Sequence, residues 1–255
     1  VLTQRFTTWR AAGRRALVCY ATAGHPDRAR SLALLQGLAH AGADVIEVGV
    51  PFSDPVADGP VIQGSSQQAL AAGMTLEGSL ALIREAKLSV PVVLFSYLNP
   101  IIAAGPDVLR RAHDAGVHGV LVTDLPVGAD PVREQWFGEG PLDFVRLVAP
   151  TTPRDRMAEI AKHGRGFVYL ISRLGVTGMS DEVAETLPAS VGLLREVCDL
   201  PICVGFGVST PAQAQTVGRL ADGVVVGSAI VRAAEQRVEA AVALTASLRA
   251  ALDDL

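Results

Sequence analysis

Short apolar runs, separated by longer stretches of mixed polarity, set the rhythm of this chain. Runs rich in Val, Ile, Leu and Phe begin near Ala16, Val45, Val92, Gly119, Phe144, Phe167, Ile202 and Gly223. They are short and rich in β-branched residues, so they predict buried strands rather than helices. Most are followed by an Ala/Leu/Arg/Glu-rich stretch with helical spacing. Between Arg30 and His40, for example, Leu32, Leu34, Leu35 and Leu38 make one apolar side behind a start near His25-Pro26-Asp27. Eight strand-then-helix units predict an α/β fold, a closed parallel (β/α)8 TIM barrel formed by residues 1–255 as a single domain with an extra N-terminal helix. An open doubly wound sheet usually has fewer strands and often a Gly-x-Gly-x-x-Gly after the first, which Ala21-Thr22-Ala23-Gly24 does not supply.

A faint internal echo supports the repeat. Ala-Gly-Ala-Asp-Val-Ile-Glu-Val-Gly from Ala41, Ala-Gly-Val-His-Gly-Val-Leu-Val-Thr-Asp from Ala115 and Leu-Ala-Asp-Gly-Val-Val-Val-Gly-Ser from Leu220 each read as helix end, turn and strand. The connections after Val50 and after Ile171 are longer than the ~2–6 residues usual between strand and helix. Barrels keep their chemistry in loops at the C-terminal ends of the strands.

Composition narrows the function. The net charge of −4 gives no electrostatic footprint for nucleic acid or an anionic membrane. Cys19, Cys198 and Cys203 form no Cys-x-x-Cys, and the histidines show no ligand spacing, so a reduced cytoplasm and no structural metal are expected. The uncharged run Leu88 to Pro106 is interrupted by Pro91, Ser96, Asn99 and Pro100, which predicts a strand plus loop, not a membrane span. Arg5, Arg10, Arg14 and Arg15 precede the first acidic residue, Asp27, as in organellar transit peptides. The absence of Ser before Ser31, with Phe6, Trp9 and Leu17 able to pack, favours a surface helix leading into the first strand.

Chemistry concentrates around the second strand. Val-Ile-Glu-Val-Gly-Val-Pro-Phe-Ser-Asp-Pro-Val-Ala-Asp-Gly-Pro places Glu47 within the strand and Asp54 and Asp58 beyond it. A carboxylate in apolar surroundings is costly to ionise, so burial raises its pKa toward the range useful for acid/base work. A buried ion pair or a wrongly placed strand would explain Glu47 without function, and turn or helix-start duty would explain Asp54-Pro55 and Asp58-Gly59-Pro60. Gly205-Phe206-Gly207-Val208-Ser209-Thr210-Pro211 and Gly227-Ser228-Ala229-Ile230 follow the seventh and eighth strands, where barrels commonly bind phosphate on backbone N–H groups. Ser209 also suits a plain N-cap. The stretch Ser172 to Glu182, with Gly175, Thr177 and Gly178, has the composition of a lid or of an ordinary long loop, and a helix start at Ser180. Tyr97 and Tyr169, at strand ends, read as core aromatics whose hydroxyls have found partners.

These motifs together resemble the alpha subunit of tryptophan synthase, from about Phe6 to the last helix. The most specific parts are the segment from Glu47 to Pro60, Gly-Phe-Val-Tyr-Leu-Ile-Ser-Arg-Leu-Gly-Val-Thr-Gly from Gly166, Gly-Phe-Gly-Val-Ser from Gly205 and Gly-Ser-Ala-Ile-Val from Gly227. The resemblance implies retro-aldol cleavage of indole-3-glycerol phosphate to indole and glyceraldehyde 3-phosphate. By motif, Glu47 would be the acid/base and Asp58 would hold the indole N–H and stabilise the cation formed when C3 is protonated. Tyr169 would lie near the reacting carbons and Thr177 beside Asp58, with Gly178, Phe206, Gly207, Gly227 and Ser228 around the phosphate. Tyr20, Ile62, Phe95 and Leu121 would line the indole pocket, with Tyr20 where the family usually has Phe and Phe95 where it often has an aliphatic residue.

The resemblance further implies a beta subunit that holds pyridoxal phosphate, with no cofactor in this chain, in an assembly of two alpha and two beta chains. Pro51, Asp54, Asn99 and Pro100 would face that partner. Three alternatives remain at this level: a lyase that releases indole without a partner, another phosphosugar isomerase or epimerase, and a non-catalytic regulatory barrel. The isomerase reading leaves the pairing of Glu47 with Asp58 unexplained, and the intact pair argues against the regulatory one.

Overall fold

Alternate residues of each strand serve two different interiors. In the computed structural model, which describes residues 1–171, 181–205 and 207–255 and only the backbone of 181–186, the strands are β1 (Ala16–Thr22), β2 (Val45–Gly49), β3 (Val92–Ser96), β4 (Gly119–Val122), β5 (Asp143–Val148), β6 (Val168–Ile171), β7 (Ile202–Gly205) and β8 (Gly223–Val226). Each pairs in parallel with the next, and β8 pairs with β1, so the sheet closes. Leu17, Cys19, Ile46, Val48, Leu94, Val120, Val204 and Val224 face the helices, while Val18, Val45, Val93, Leu121, Val145, Cys203 and Val225 fill the barrel. That period-2 division, with both faces apolar, is what a parallel strand buried between two layers requires.

The surrounding helices are α1 (Leu2–Ala11), α2 (Arg28–His40), α3 (Pro60–Ala71), α4 (Leu76–Ala86), α5 (Leu98–Ala103), α6 (Val108–Asp114), α7 (Pro131–Glu139), α8 (Arg154–Lys162), α9 (Asp181–Val197), α10 (Pro211–Gly218), α11 (Ser228–Gln236) and α12 (Val238–Asp253). Asp27 caps α2 by accepting from the Arg30 N–H, as the sequence signal predicts. Strands five and six begin at Asp143 and Val168, one residue from their predicted starts.

The N-terminal helix departs from its expected role. Leu2 and Phe6 are buried, and Phe6 packs on Phe167 with ring centroids 5.2 Å apart. Both join the cluster inside the barrel, so α1 is its floor and not merely a surface helix. Leu17 belongs to β1 and faces the outer helices instead. The Leu2 N–H donates to Asp143 Oδ2, which anchors the start of α1 under β5.

The internal echo has a structural cause at the same end of the barrel. Leu17 N–H donates to Asp44 Oδ2 at 2.8 Å, Val92 N–H to His118 Nδ1 at 3.3 Å and Ile202 N–H to Asp222 Oδ2 at 2.9 Å. In each case the residue before one strand accepts the N–H near the start of the preceding strand, satisfying a donor that the sheet leaves free. Arg249 and Arg14 pair with Asp44, and Arg10 and Arg195 with Asp222. These charges brace the floor, which leaves the opposite mouth for chemistry.

Candidate active site

Glu47 is the third residue of β2, and the alternation that buries Val45 inside the barrel points Glu47 the same way. It stands in register between Tyr20 of β1 and Val93 of β3, and only 1% of it is exposed. Its Oε1 has no hydrogen-bond partner among the described residues. Desolvation alone pushes its pKa from 4.5 up to about 8, so the carboxyl carries its proton at neutral pH. No described ion pair involves Glu47, so the structural explanation by charge pairing does not hold among the described residues.

Asp58 lies at the end of the long connection between β2 and α3. Its N–H donates to Pro55 O, Gln63 Nε2 donates to its carbonyl, and Gly59 and Pro60 start α3. Asp58-Gly59-Pro60 is therefore a turn and a helix start, as its composition predicts, yet the carboxylate is not used for capping. It accepts a 3.0 Å hydrogen bond on Oδ2 from the Tyr97 hydroxyl. Burial raises the Asp58 pKa and that hydrogen bond opposes the rise.

Tyr20, which feels the charge of both carboxylates, forms an apolar patch with Ile62 and Val231, with Val61 and Phe95 against it. Tyr20 meets Phe95 edge to face at 5.3 Å. Thr22 Oγ1 lies 3.4 Å from the Tyr20 hydroxyl and 2.7 Å from Ser65 Oγ. Leu121 pairs in register with Phe95 but belongs to the deeper cluster that fills the barrel. Glycines make room for both tyrosine hydroxyls. A Cβ on Gly49 would stand 2.0 Å from that of Tyr20, and a Cβ on Gly205 2.3 Å from that of Tyr169. Tyr169 is buried, and desolvation followed by the nearby Glu47 charge holds its phenol well above the usual range.

The expected phosphate cradle is brought to this same mouth in part. Gly227 is the N-cap of α11 and lies against the Tyr20 ring, with its position open to ordinary contact only. The N–H groups at the start of α11, from Ser228, have no partner within the helix, as at any helix N-terminus. Gly207 has φ +91°, a left-handed conformation that a Cβ disfavours. Ser209 is not the N-cap of the next helix. Thr210 is, in a capping box with Gln213, while Ser209 donates to the Gln213 side chain. Thr177, Gly178, Phe206 and Ser180 lie outside the described residues.

The residues expected to face a partner also come together. Phe52 stacks on Tyr97 at 5.0 Å, which sets the loop containing Pro51 and Asp54 beside α5 with Asn99 and Pro100. Pro51 is buried, whereas Asp54, Asn99 and Val56 are exposed. A separate groove of about 510 Å³ between α7 and α8, lined by Glu134, Glu159, Lys162 and His163, contains none of the mouth residues. No cluster of potential metal ligands occurs among the described residues. No described helix is long and apolar enough to cross a membrane.

Residues 6–254 match the family profile described as tryptophan synthase alpha chain. The chain belongs to that family. The alpha chain of Citrifermentans bemidjiense is 47% identical over 237 residues, spanning 91% of this chain and 88% of the relative. That of Carboxydothermus hydrogenoformans is 45% identical over 240 residues, spanning 92% and 90%. Among solved structures, tryptophan synthase from Mycobacterium tuberculosis superposes with a TM-score of 0.90 at 37% identity, covering 98% of this chain and 97% of that one. Tryptophan synthase subunit alpha from Legionella pneumophila gives 0.90 at 33% identity, covering 100% and 98%. Membership of the tryptophan synthase alpha chain family makes this chain a lyase-type enzyme of tryptophan biosynthesis.

One site contact escaped the sequence. Tyr97 reads there as an aromatic whose hydroxyl has some partner, and the partner is the Asp58 carboxylate, 39 positions away. Its placement just after β3, in the layer where barrels carry chemistry, is the signal that points to it.

Proposed function

We propose that this chain cleaves indole-3-glycerol phosphate to indole and glyceraldehyde 3-phosphate by a retro-aldol reaction. The observation that carries the reading is a fully buried glutamate in the barrel mouth, in no ion pair among the described residues, whose pKa is pushed up to about 8. Such a group holds a proton at neutral pH and can both give and take one. Protonated Glu47 delivers its proton to indole C3, which leaves positive charge delocalised to the ring nitrogen. Asp58 accepts the indole N–H and stabilises that charge in a site shielded from water. The bond between C3 and the glycerol carbon then breaks. Its electron pair restores the indole ring, and the adjacent hydroxyl becomes the aldehyde by giving its proton back to Glu47, so the catalyst is regenerated.

Tyr20, Ile62 and Phe95 supply apolar walls for the indole, with Leu121 beneath, and Tyr169 stays a neutral hydroxyl near the reacting carbons. The first turn of α11 at Gly227 and Ser228, with Gly207, receives the phosphate; Gly178 and Phe206 complete that group and Thr177 stands beside Asp58 by family motif. In this reading a beta subunit docks on Pro51, Asp54, Asn99 and Pro100, in an assembly of two alpha and two beta chains. Pyridoxal phosphate belongs to the beta subunit, and the alpha chain needs no cofactor for cleavage. The free cysteines suit the cytoplasm.

Two variants test the assignment. Glu47→Gln keeps the shape and removes the proton shuttle, so indole release should fall by at least about a thousandfold while affinity for an indole alkyl phosphate changes little. Asp58→Asn should lower kcat by about a hundredfold. Full activity in Glu47→Gln would remove Glu47 from the acid/base role.

A further inference from the structure

We propose that Tyr97 is a positioning residue: its hydroxyl fixes the Asp58 carboxylate and the peptide before it, leaving Oδ1 turned toward the indole N–H. The inference rests on the reading of Asp58 given above. One phenolic oxygen makes two contacts with the same short segment. It accepts from the Ala57 N–H at 2.9 Å and donates to Asp58 Oδ2 at 3.0 Å. Backbone and side chain are therefore pinned to one point. Among the described residues Tyr97 is the side chain that donates to this carboxylate.

Tyr97 is itself well anchored. Its ring stacks on Phe52 with an interplanar angle of 29°, its backbone continues directly from β3, and it is the N-cap residue of α5. The next residue, Leu98, donates its N–H to Asp124 Oδ1 at 2.7 Å, which ties the first turn of α5 to the loop after β4. The anchor therefore runs from two strand ends to a carboxylate on a long loop. A loop without that tie would spread Asp58 over several rotamers, and misplacing a catalytic group by about 1 Å can cost a hundredfold in rate.

The chemistry of the contact matches its geometry. Burial, followed by the Asp58 charge, pushes the Tyr97 phenol far above neutral, so it is a donor throughout the working range. A donor to the charged form favours that form, which offsets the desolvation that burial imposes on Asp58. Tyr97 thus aims Asp58 and favours its ionised form, the form that the developing cation needs. Phe52 holds the Tyr97 ring by stacking on it.

The test uses the full-length chain with Tyr97→Phe, which keeps the stacked ring and removes one oxygen, and with 3-fluorotyrosine at position 97, a more acidic donor that preserves the fold. Carbon-13 NMR of labelled aspartates, with Asp58 assigned by Asp58→Asn, follows the carboxyl titration, and indole release gives kcat and KM. Tyr97→Phe should raise the Asp58 midpoint, shift the acid limb of the rate profile upward with it, and lower kcat by about ten- to a hundredfold, with a smaller change in KM. Fluorotyrosine should move the midpoint below that of the wild type. An Asp58 midpoint unmoved in both proteins, or kcat unchanged in Tyr97→Phe, overturns the proposal, as does a fall in kcat without any titration shift. Wild-type indole release is the separate control for the functional reading, and the NMR comparison retains its meaning whatever that control shows.

Discussion

Replacing Glu47 with glutamine should reverse the usual effect of altering a buried polar residue, and the reversal should depend on pH. In the folded chain the carboxyl keeps a proton to about pH 8, whereas the unfolded chain releases it near the ordinary value of 4.5. Between those values the native state binds the extra proton, so stability falls as pH rises and levels off only above the folded pKa. From about pH 5 to pH 7 the lost stability is about 2–3 kcal/mol. The side-chain amide of Glu47→Gln does not titrate, so the variant escapes that loss. Equilibrium urea denaturation of both proteins at the two pH values isolates the effect, because His25, His118 and Asp58 titrate alike in each. The stability of Glu47→Gln relative to wild type should rise by that amount between the two. A difference independent of pH would mean that Glu47 ionises normally in the fold, and the argument for a protonated acid in the barrel mouth would collapse.

Glu134→Ala should cost about 3–5 kcal/mol in the same denaturation experiment, since it leaves a buried guanidinium without its charge partner. Arg146 lies 2.8 Å from Glu134, and each is nearly inaccessible to solvent; a cost below about 1 kcal/mol would show that water reaches the pair. Phe6→Ala, which empties the floor beneath Phe167, should destabilise by about 3–5 kcal/mol with little change in KM. Gly49→Ala would drive a methyl group into the Tyr20 hydroxyl, so KM for the substrate should rise severalfold while stability falls by about 1–3 kcal/mol, measured by steady-state kinetics and thermal melting.

The barrel is written plainly in the chain because each strand is buried on both sides. Val45-Ile46 and Val224-Val225 can be nothing but apolar where both faces are covered, and this gives strand starts at Ala16, Val45, Val92, Gly119, Ile202 and Gly223 directly. The two starts that differ adjoin the floor. Asp143 begins β5 while accepting from Leu2, and Phe167 precedes β6 because its ring turns in to meet Phe6. Nothing local announces either contact. Phe6 and Trp9 read in the sequence as residues able to pack, but not as ones whose helix lies inside a barrel.

The carboxylates were legible for different reasons. Glu47 interrupts an apolar strand, and that contradiction is visible in five residues. Asp58 sits in turn chemistry that would hide any aspartate, and only the resemblance singled it out. Tyr97 depends on a hydrogen bond that forms only when β3 and the loop after β2 are folded side by side. Similarly, Asp44 meets Arg249 across 205 positions, a pairing that no window of sequence contains.

The most direct test of the central claim is to incubate the purified chain with indole-3-glycerol phosphate, with and without a beta subunit, and to quantify both products. The account predicts indole and glyceraldehyde 3-phosphate in equal amounts, slowly from the chain alone and much faster with the partner. Fast turnover without the partner would contradict the partner-dependent part of the account, and no product under either condition would contradict the retro-aldol assignment itself.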